Sequence, residues 1–249
     1  MPLNIWSDDM KVGVVQLRIE ENIEKNIQKV NDLTLNYKDT VFLLPELFTT
    51  GFNYELIQTL DESHIKLLNS LNENNTFMGS IVRKKEDGFY NSFFIKYKSG
   101  IYFIYDKVNL FPLMDEDKYF NPGEGYYTFE MSNAKAGCAI CFDLRFCEIF
   151  VQLRKSGAKI VFLPAEWPKK RVEHFKVLCR ARAIENQYYF VACNSVGNTW
   201  GEKFGGNSMI IDPWGNILKS ADDKEDTVMV DEIDFSLVDE VRNTIPMRC

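Results

Sequence analysis

The chain has 249 residues, 45% of them hydrophobic, so it can bury a substantial core, and its length suits one domain over 1–249 better than two. A formal net charge of −7 without a long basic run argues against nucleic acid or an anionic membrane as the main partner, leaving a small-molecule substrate. The start, MPLNIWSDDMKVGVVQL, lacks a basic segment followed by an apolar one, and no apolar run is long enough to span a bilayer. A cytoplasmic protein with reduced cysteines is expected.

After a short polar leader, Lys11 to Leu17 reads as a strand. Ile23, Ile27, Val30 and Leu33 recur at helical spacing and predict an amphipathic helix ending near Lys38. Thr40 to Leu44 is apolar on both faces, hence a central strand, and it delivers Glu46 to its C-terminal end. A helix over Glu55 to Leu68 and a strand over Thr76 to Val82 follow.

Aromatic and β-branched residues from Phe89 to Tyr97 and from Ile101 to Lys107, joined by Lys98-Ser99-Gly100, predict a hairpin. The loop from Phe111 to Gly123 contains Pro and Gly and is long enough to wall a pocket. Strands are expected near Tyr126 to Met131 and Ala136 to Ile140. Further on, Lys159 to Leu163 is doubly buried, a helix covers Lys170 to Asn186, and strands fall at Tyr188–Asn194, Gly206–Ile211, Asn216–Lys219 and Thr227–Val230. The core runs from about 10 to 240. The tail, 241–249, looks as if it needs a partner surface.

Strands alternating with helices and interrupted by hairpins predict an α/β fold in which helices cover two mixed sheets packed face to face. Within it, Gly137-Cys138-Ala139-Ile140-Cys141-Phe142-Asp143-Leu144-Arg145-Phe146 passes from an apolar run to a polar, helix-opening sequence. A strand ending on Cys141, with Asp143 as N-cap of a helix to Lys155, would present the thiol beside unpaired N–H groups that favour a thiolate or an oxyanion.

Glu46, Lys107 and Cys141 thus fall at three strand ends. Their surroundings, Leu44-Pro45-Glu46-Leu47-Phe48, Tyr105-Asp106-Lys107-Val108-Asn109 and Ile140-Cys141-Phe142-Asp143-Leu144-Arg145-Phe146, resemble the Glu-Lys-Cys motifs of the nitrilase superfamily, the carbon–nitrogen hydrolases. Arg180 to Gln187 and Ser208 to Gly215 also look like family signatures. Phe48 to Phe52, the Met114–Gly123 loop and Ala165-Glu166-Trp167-Pro168 are most similar to the omega-amidase branch, which cleaves 2-oxoglutaramate.

The resemblance implies an α-β-β-α sandwich that dimerises, acting on a small carboxylic amide without a cofactor. It implies Cys141 as nucleophile, Glu46 as proton carrier, and Lys107 with the Phe142 N–H as oxyanion donors. It adds Glu116 as a second glutamate, in a loop that also offers Asp115 and Asp117. Arg145, one turn after the nucleophile, suits a substrate carboxylate, or a structural salt bridge. Phe48, Phe52, Met114 and Trp167 are candidate apolar walls, and Arg180, Arg182 and Glu185 an ion-pair network. Cys147 stands where many relatives have proline.

Other activities of the same superfamily, an N-carbamoyl amidohydrolase or a nitrilase, share these motifs. Outside it, Cys138-Ala139-Ile140-Cys141 admits a redox dithiol or half a zinc site. Against that reading, strand alternation sends the two sulfurs to opposite faces, and the two histidines, His64 and His174, match no metal motif. A binding scaffold that has lost catalysis is a third alternative, which the intact triad opposes.

Overall fold

Strands buried on both faces decide the architecture. In the computed structural model, which describes residues 10–131 and 134–247, the first half holds β1 (Met10–Gln16), α1 (Ile23–Thr34), β2 (Thr40–Leu43), α2 (Tyr54–Thr59), β3 (Thr76–Lys85), β4 (Gly88–Tyr97) and β5 (Gly100–Asp106). The middle holds α3 (Glu116–Tyr119), β6 (Thr128–Met131), β7 (Ala134–Cys138), α4 (Cys147–Lys155), β8 (Ala158–Ala165) and α5 (Val172–Asn186). The rest holds β9 (Tyr189–Asn194), β10 (Val196–Thr199), β11 (Glu202–Gly205), β12 (Met209–Ile211), β13 (Ile217–Ser220), β14 (Thr227–Ile233) and α6 (Ser236–Thr244).

Two six-stranded mixed sheets result, ordered β14-β1-β2-β3-β4-β5 and β13-β12-β9-β8-β7-β6. Period-two alternation layers them: Val41 and Leu43 of β2 join Ile160 and Phe162 of β8 in the core between the sheets. Phe42 and Leu44 point the other way, into a second cluster with Ile23, Ile27 and Val30 of α1. Phe175, Cys179 and Ala183 of α5 pack with the strands of the other sheet, completing the α-β-β-α sandwich.

Several expectations need correction. The helix expected over Glu55 to Leu68 is two pieces: α2 ends at Thr59, and the Asp61 carboxylate accepts the Ser63 N–H at 2.7 Å to open a separate 3-10 helix, Glu62–Ser70. The β10–β11 hairpin and α6 were not anticipated. The tail begins tied down, because Gln187 Nε2 donates to Ile245 O at 2.7 Å; Cys249 and the leader before Met10 lie outside the described residues. The other five cysteines, Cys138, Cys141, Cys147, Cys179 and Cys193, are free thiols.

Candidate active site

Chain reversals after β2, β5 and β7 bring Glu46, Lys107 and Cys141 to one end of the sandwich. Glu46 N reaches across the sheets to Ala165 O at 3.4 Å, and Leu47, at φ 44°, donates its N–H to Ser80 Oγ at 2.9 Å. Lys107 is held on both sides, its N–H on Asn91 O at 2.9 Å and its carbonyl accepting Gly123 N–H at 2.8 Å. Glycine is required at 123 because a Cβ there would lie 2.0 Å from Asp106 O.

Cys141 is in the left-handed region, φ 45°, a conformation that costs a non-glycine residue about 1–3 kcal/mol and persists only where the surroundings enforce it. The enforcement is visible, and it corrects the expected role of Asp143. That residue is not an N-cap but lies inside the 3-10 turn Cys141–Arg145. Its buried carboxylate accepts Ile140 N–H at 2.9 Å, Asn109 N–H at 3.1 Å, Asn109 Nδ2 at 2.9 Å and the Tyr105 hydroxyl at 2.7 Å. From the other side Arg182 donates to Leu144 O through Nη2 at 2.9 Å and Nε at 3.3 Å. Arg182 also pairs with Glu185 at 2.7 Å, whereas Arg180 binds Gly215 O at 2.8 Å instead of joining an ion-pair network.

Lys107 Nζ, fully buried, lies 2.7 Å from Glu46 Oε1 and 2.6 Å from Glu116 Oε2. Asn91 Nδ2 donates to Oε1 of both glutamates, at 2.8 and 3.1 Å, and Phe111 N–H donates to Glu116 Oε2 at 2.7 Å. Of the acidic side chains in the loop, Glu116 is therefore the one turned inward, while Asp115 and Asp117 are exposed. Burial alone would lower the ammonium's pKa, but Glu116 and Glu46 overrule it, and Lys107 is held well above its ordinary value as a cation. Burial pushes Glu116 up, with Glu46 adding to it and Lys107 opposing. Burial also pushes the Cys141 thiol well up, aided by Glu46 and opposed by Lys107, so the resting sulfur carries its proton at neutral pH.

The thiol opens on a cleft of about 300 Å3, counting its mouth, lined by Phe52, Phe111, Met114, Phe142, Arg145, Trp167 and Arg171. Four expected substrate contacts, Arg145, Phe52, Met114 and Trp167, lie on it. Phe48 does not: it is fully buried against Phe94, centroids 5.8 Å apart, and belongs to the core beneath α1. Phe142, at the start of the 3-10 turn, lines the cleft beside the sulfur, and its ring packs on Phe111 at 4.8 Å. Arg145 makes no salt bridge among the described residues; its guanidinium lies over the Trp167 ring at 4.8 Å, with His174 Nδ1 3.3 Å from Nη2.

Sequence reasoning missed Asn91 and Glu166. Glu166 N–H donates to Glu46 Oε2 at 3.1 Å. Its own carboxyl is buried with neither oxygen hydrogen-bonded within the described protein, the Ser195 hydroxyl beside it falling outside hydrogen-bonding geometry. Burial, then Glu46, pushes its pKa well above the usual carboxylate range. Cys138 is also buried, between the sheets, and no group of three His, Cys, Asp or Glu among the described residues is placed to hold a metal ion. No described helix is long and apolar enough to cross a membrane.

The pattern of the carbon-nitrogen hydrolase family matches residues 11–243, and the chain belongs to that family. It is a carbon–nitrogen hydrolase of the nitrilase superfamily, an enzyme of the amidohydrolase class. A 2-oxoglutaramate amidase of Bacillus subtilis (strain 168) is 38% identical over 215 residues, covering 83% of each chain. The omega-amidase YafV of Escherichia coli (strain K12) is 31% identical over 211 residues, 83% of this chain and 82% of its own. In fold, a CN-hydrolase superfamily protein of Xanthomonas campestris, XC1258, superposes with a TM-score of 0.86 at 24% identity, covering 96% of this chain and 95% of its own.

Proposed function

We propose that this enzyme releases ammonia from a small carboxylic monoamide of the omega-amidase type, 2-oxoglutaramate being the reference substrate, through a Cys141 thioester. The observation that carries the reading is an arginine without an acidic partner among the described residues, Arg145, on the wall of the cleft that is lined by the thiol and by Lys107 of the buried Glu-Lys-Glu cluster. Relatives named for this activity support it.

In this mechanism Glu46 takes the thiol proton as sulfur attacks the amide carbon. Lys107 Nζ and the Phe142 N–H hold the oxyanion, and Glu116 fixes Lys107 from the far side. Collapse expels the amine, which leaves as ammonia with the proton from Glu46. Glu46 then takes a proton from water, hydroxide attacks the thioester, and the carboxylic acid departs as the proton returns to sulfur. Arg145 holds the substrate's free carboxylate by its planar fork.

The same reading takes the chain as a single domain working as a cytoplasmic homodimer, which light scattering on the purified protein and fractionation of the cell would check. The decisive test is ammonia release from 2-oxoglutaramate, glutamine, an N-carbamoyl amino acid and an aliphatic nitrile. A kcat/KM highest for 2-oxoglutaramate is expected; preference for either of the last two refutes the assignment.

A further inference from the structure

Lys169, Lys170 and Arg171 form a basic run at the entrance to α5, and the fold treats them differently. Lys169 pairs with Asp223, and Lys170 with Glu202 at 2.7 Å, both on the outer surface. Arg171 is half-buried and lines the cleft that contains Cys141. It has no acidic partner among the described residues; its guanidinium lies over the Phe111 ring at 5.3 Å.

Arg171 is also built into the wall that carries Arg145. Its carbonyl accepts the Trp167 indole N–H at 2.8 Å, and Trp167 is the ring over which Arg145 lies. Its N–H donates to Pro168 O at 3.0 Å, so the turn is fixed before any ligand arrives. Two guanidiniums, each on an aromatic face, thus flank one cleft, and among the described residues neither is paired with a carboxylate, the Glu166 carboxyl on the same wall included. Burial and the charge of Arg171 both depress the pKa of Arg145, so the pair is mutually repulsive as it stands. Like charges held together in a half-buried cleft, each with a fork of donors, are complementary to an anion of high acceptor capacity.

We propose that Arg171 is a specificity-determining residue, the second guanidinium of a clamp that with Arg145 holds the oxygen-rich anionic end of the substrate, a 2-oxo carboxylate, while the amide end lies at Cys141. The proposal rests on the substrate reading above and adds a residue that neither the motifs nor their spacing indicated. Two forks give one donor set to the carboxylate and leave donors for the adjacent 2-oxo oxygen, which a single arginine would divide between them.

The test compares kcat/KM for 2-oxoglutaramate with that for pentanamide, a neutral amide of the same carbon count, in wild type, Arg171→Gln and Arg171→Lys, with melting curves confirming the fold. The ratio of the two kcat/KM values should fall at least tenfold in Arg171→Gln, chiefly through KM, and Arg171→Lys should recover part of it. An equal loss on both amides overturns the proposal, leaving Arg171 as a support for Trp167 and Phe111; no loss also overturns it. In parallel, 2-oxoglutarate is titrated calorimetrically into Cys141→Ala with and without Arg171→Gln. At least tenfold weaker binding is expected with the second substitution, and equal affinity refutes the clamp. Wild-type indifference between the two amides would sink the substrate assignment alone, because the titration still decides whether Arg171 binds an anion.

Discussion

Replacing Glu166 by glutamine gives a pH signature whose sign and size follow from burial. In the folded protein this carboxyl has no hydrogen-bond partner among the described residues, and burial first, then nearby Glu46, hold its pKa well above 4.5; in the unfolded chain it returns to that ordinary value. Above about pH 4.5 the native state therefore binds more protons than the unfolded state at this site, and stability falls as pH rises. The slope approaches about 1.4 kcal/mol per pH unit until the folded-state pKa is reached. The contribution is fully present below the unfolded value and lost through the folded one. Glutamine keeps the volume and removes the titration, so the stability of Glu166→Gln relative to wild type should climb with pH. Between pH 5 and 7 the climb is at most about 3 kcal/mol, or roughly 6–12 °C in Tm for a chain of this size. Urea titrations and melting curves at pH 5, 6, 7 and 8 on both proteins measure it, and shifts at Glu116 and Cys141 largely cancel in the difference. A constant offset across that range would mean that Glu166 carries no extra proton in the fold, and the reasoning would fail.

Cys141→Ala should abolish amide hydrolysis while Cys138→Ala, buried between the sheets, keeps most of it; equal loss with folding intact would favour a dithiol. Lys107→Ala should lower kcat by about 2.7–4 kcal/mol of transition-state stabilisation, read from steady-state kinetics, and near-normal kcat would remove Lys107 from the oxyanion site. Arg145→Lys keeps the charge but loses the fork, so its kcat/KM for 2-oxoglutaramate should fall by roughly tenfold or more, about 1.4 kcal/mol, relative to that for a neutral amide. Activity should survive exhaustive chelation; a stoichiometric metal whose removal stops turnover without unfolding would refute the proposed chemistry.

The parts legible in the sequence are those encoded by local pattern. Thr40 to Leu44 and Lys159 to Leu163 read as central strands because both faces are apolar, and they are β2 and β8 in the hearts of the two sheets. Glu46 was legible because it follows such a strand, and Lys107 and Cys141 because each follows a strand, β5 or β7, within a recognisable motif. The β10–β11 hairpin was not. Its strands are polar and glycine-rich, and its turn, Trp200 at φ 51° and Gly201 at φ 76°, lacks the usual Asn-Gly or Asp-Gly signal. Long-range partnership was equally hidden: Glu166 N–H meets Glu46 across 120 residues of chain, and Arg182 reaches Leu144 O across 38. Asp143 misled because a polar residue before a helical repeat reads as a cap, whereas the chain makes a 3-10 turn first and draws the carboxylate inward onto Tyr105 and Asn109.

The buried groups also set a proton inventory that suits the proposed reaction. Two carboxyls, Glu46 and Glu116, meet the Lys107 ammonium and a third, Glu166, is buried nearby, so a single Lys107 cannot offset three desolvated negative charges. Burial, with Glu46 adding to it, pushes Glu116 and Glu166 upward, while Glu116 and Glu46 hold Lys107 as a cation. In the proposed cycle each proton passes between Glu46 and sulfur, amine or water, beside the positive charge held at Lys107. Burial, aided by Glu46 and opposed by Lys107, raises the Cys141 thiol, so in the proposed reaction the thiolate forms as substrate charge develops beside Lys107.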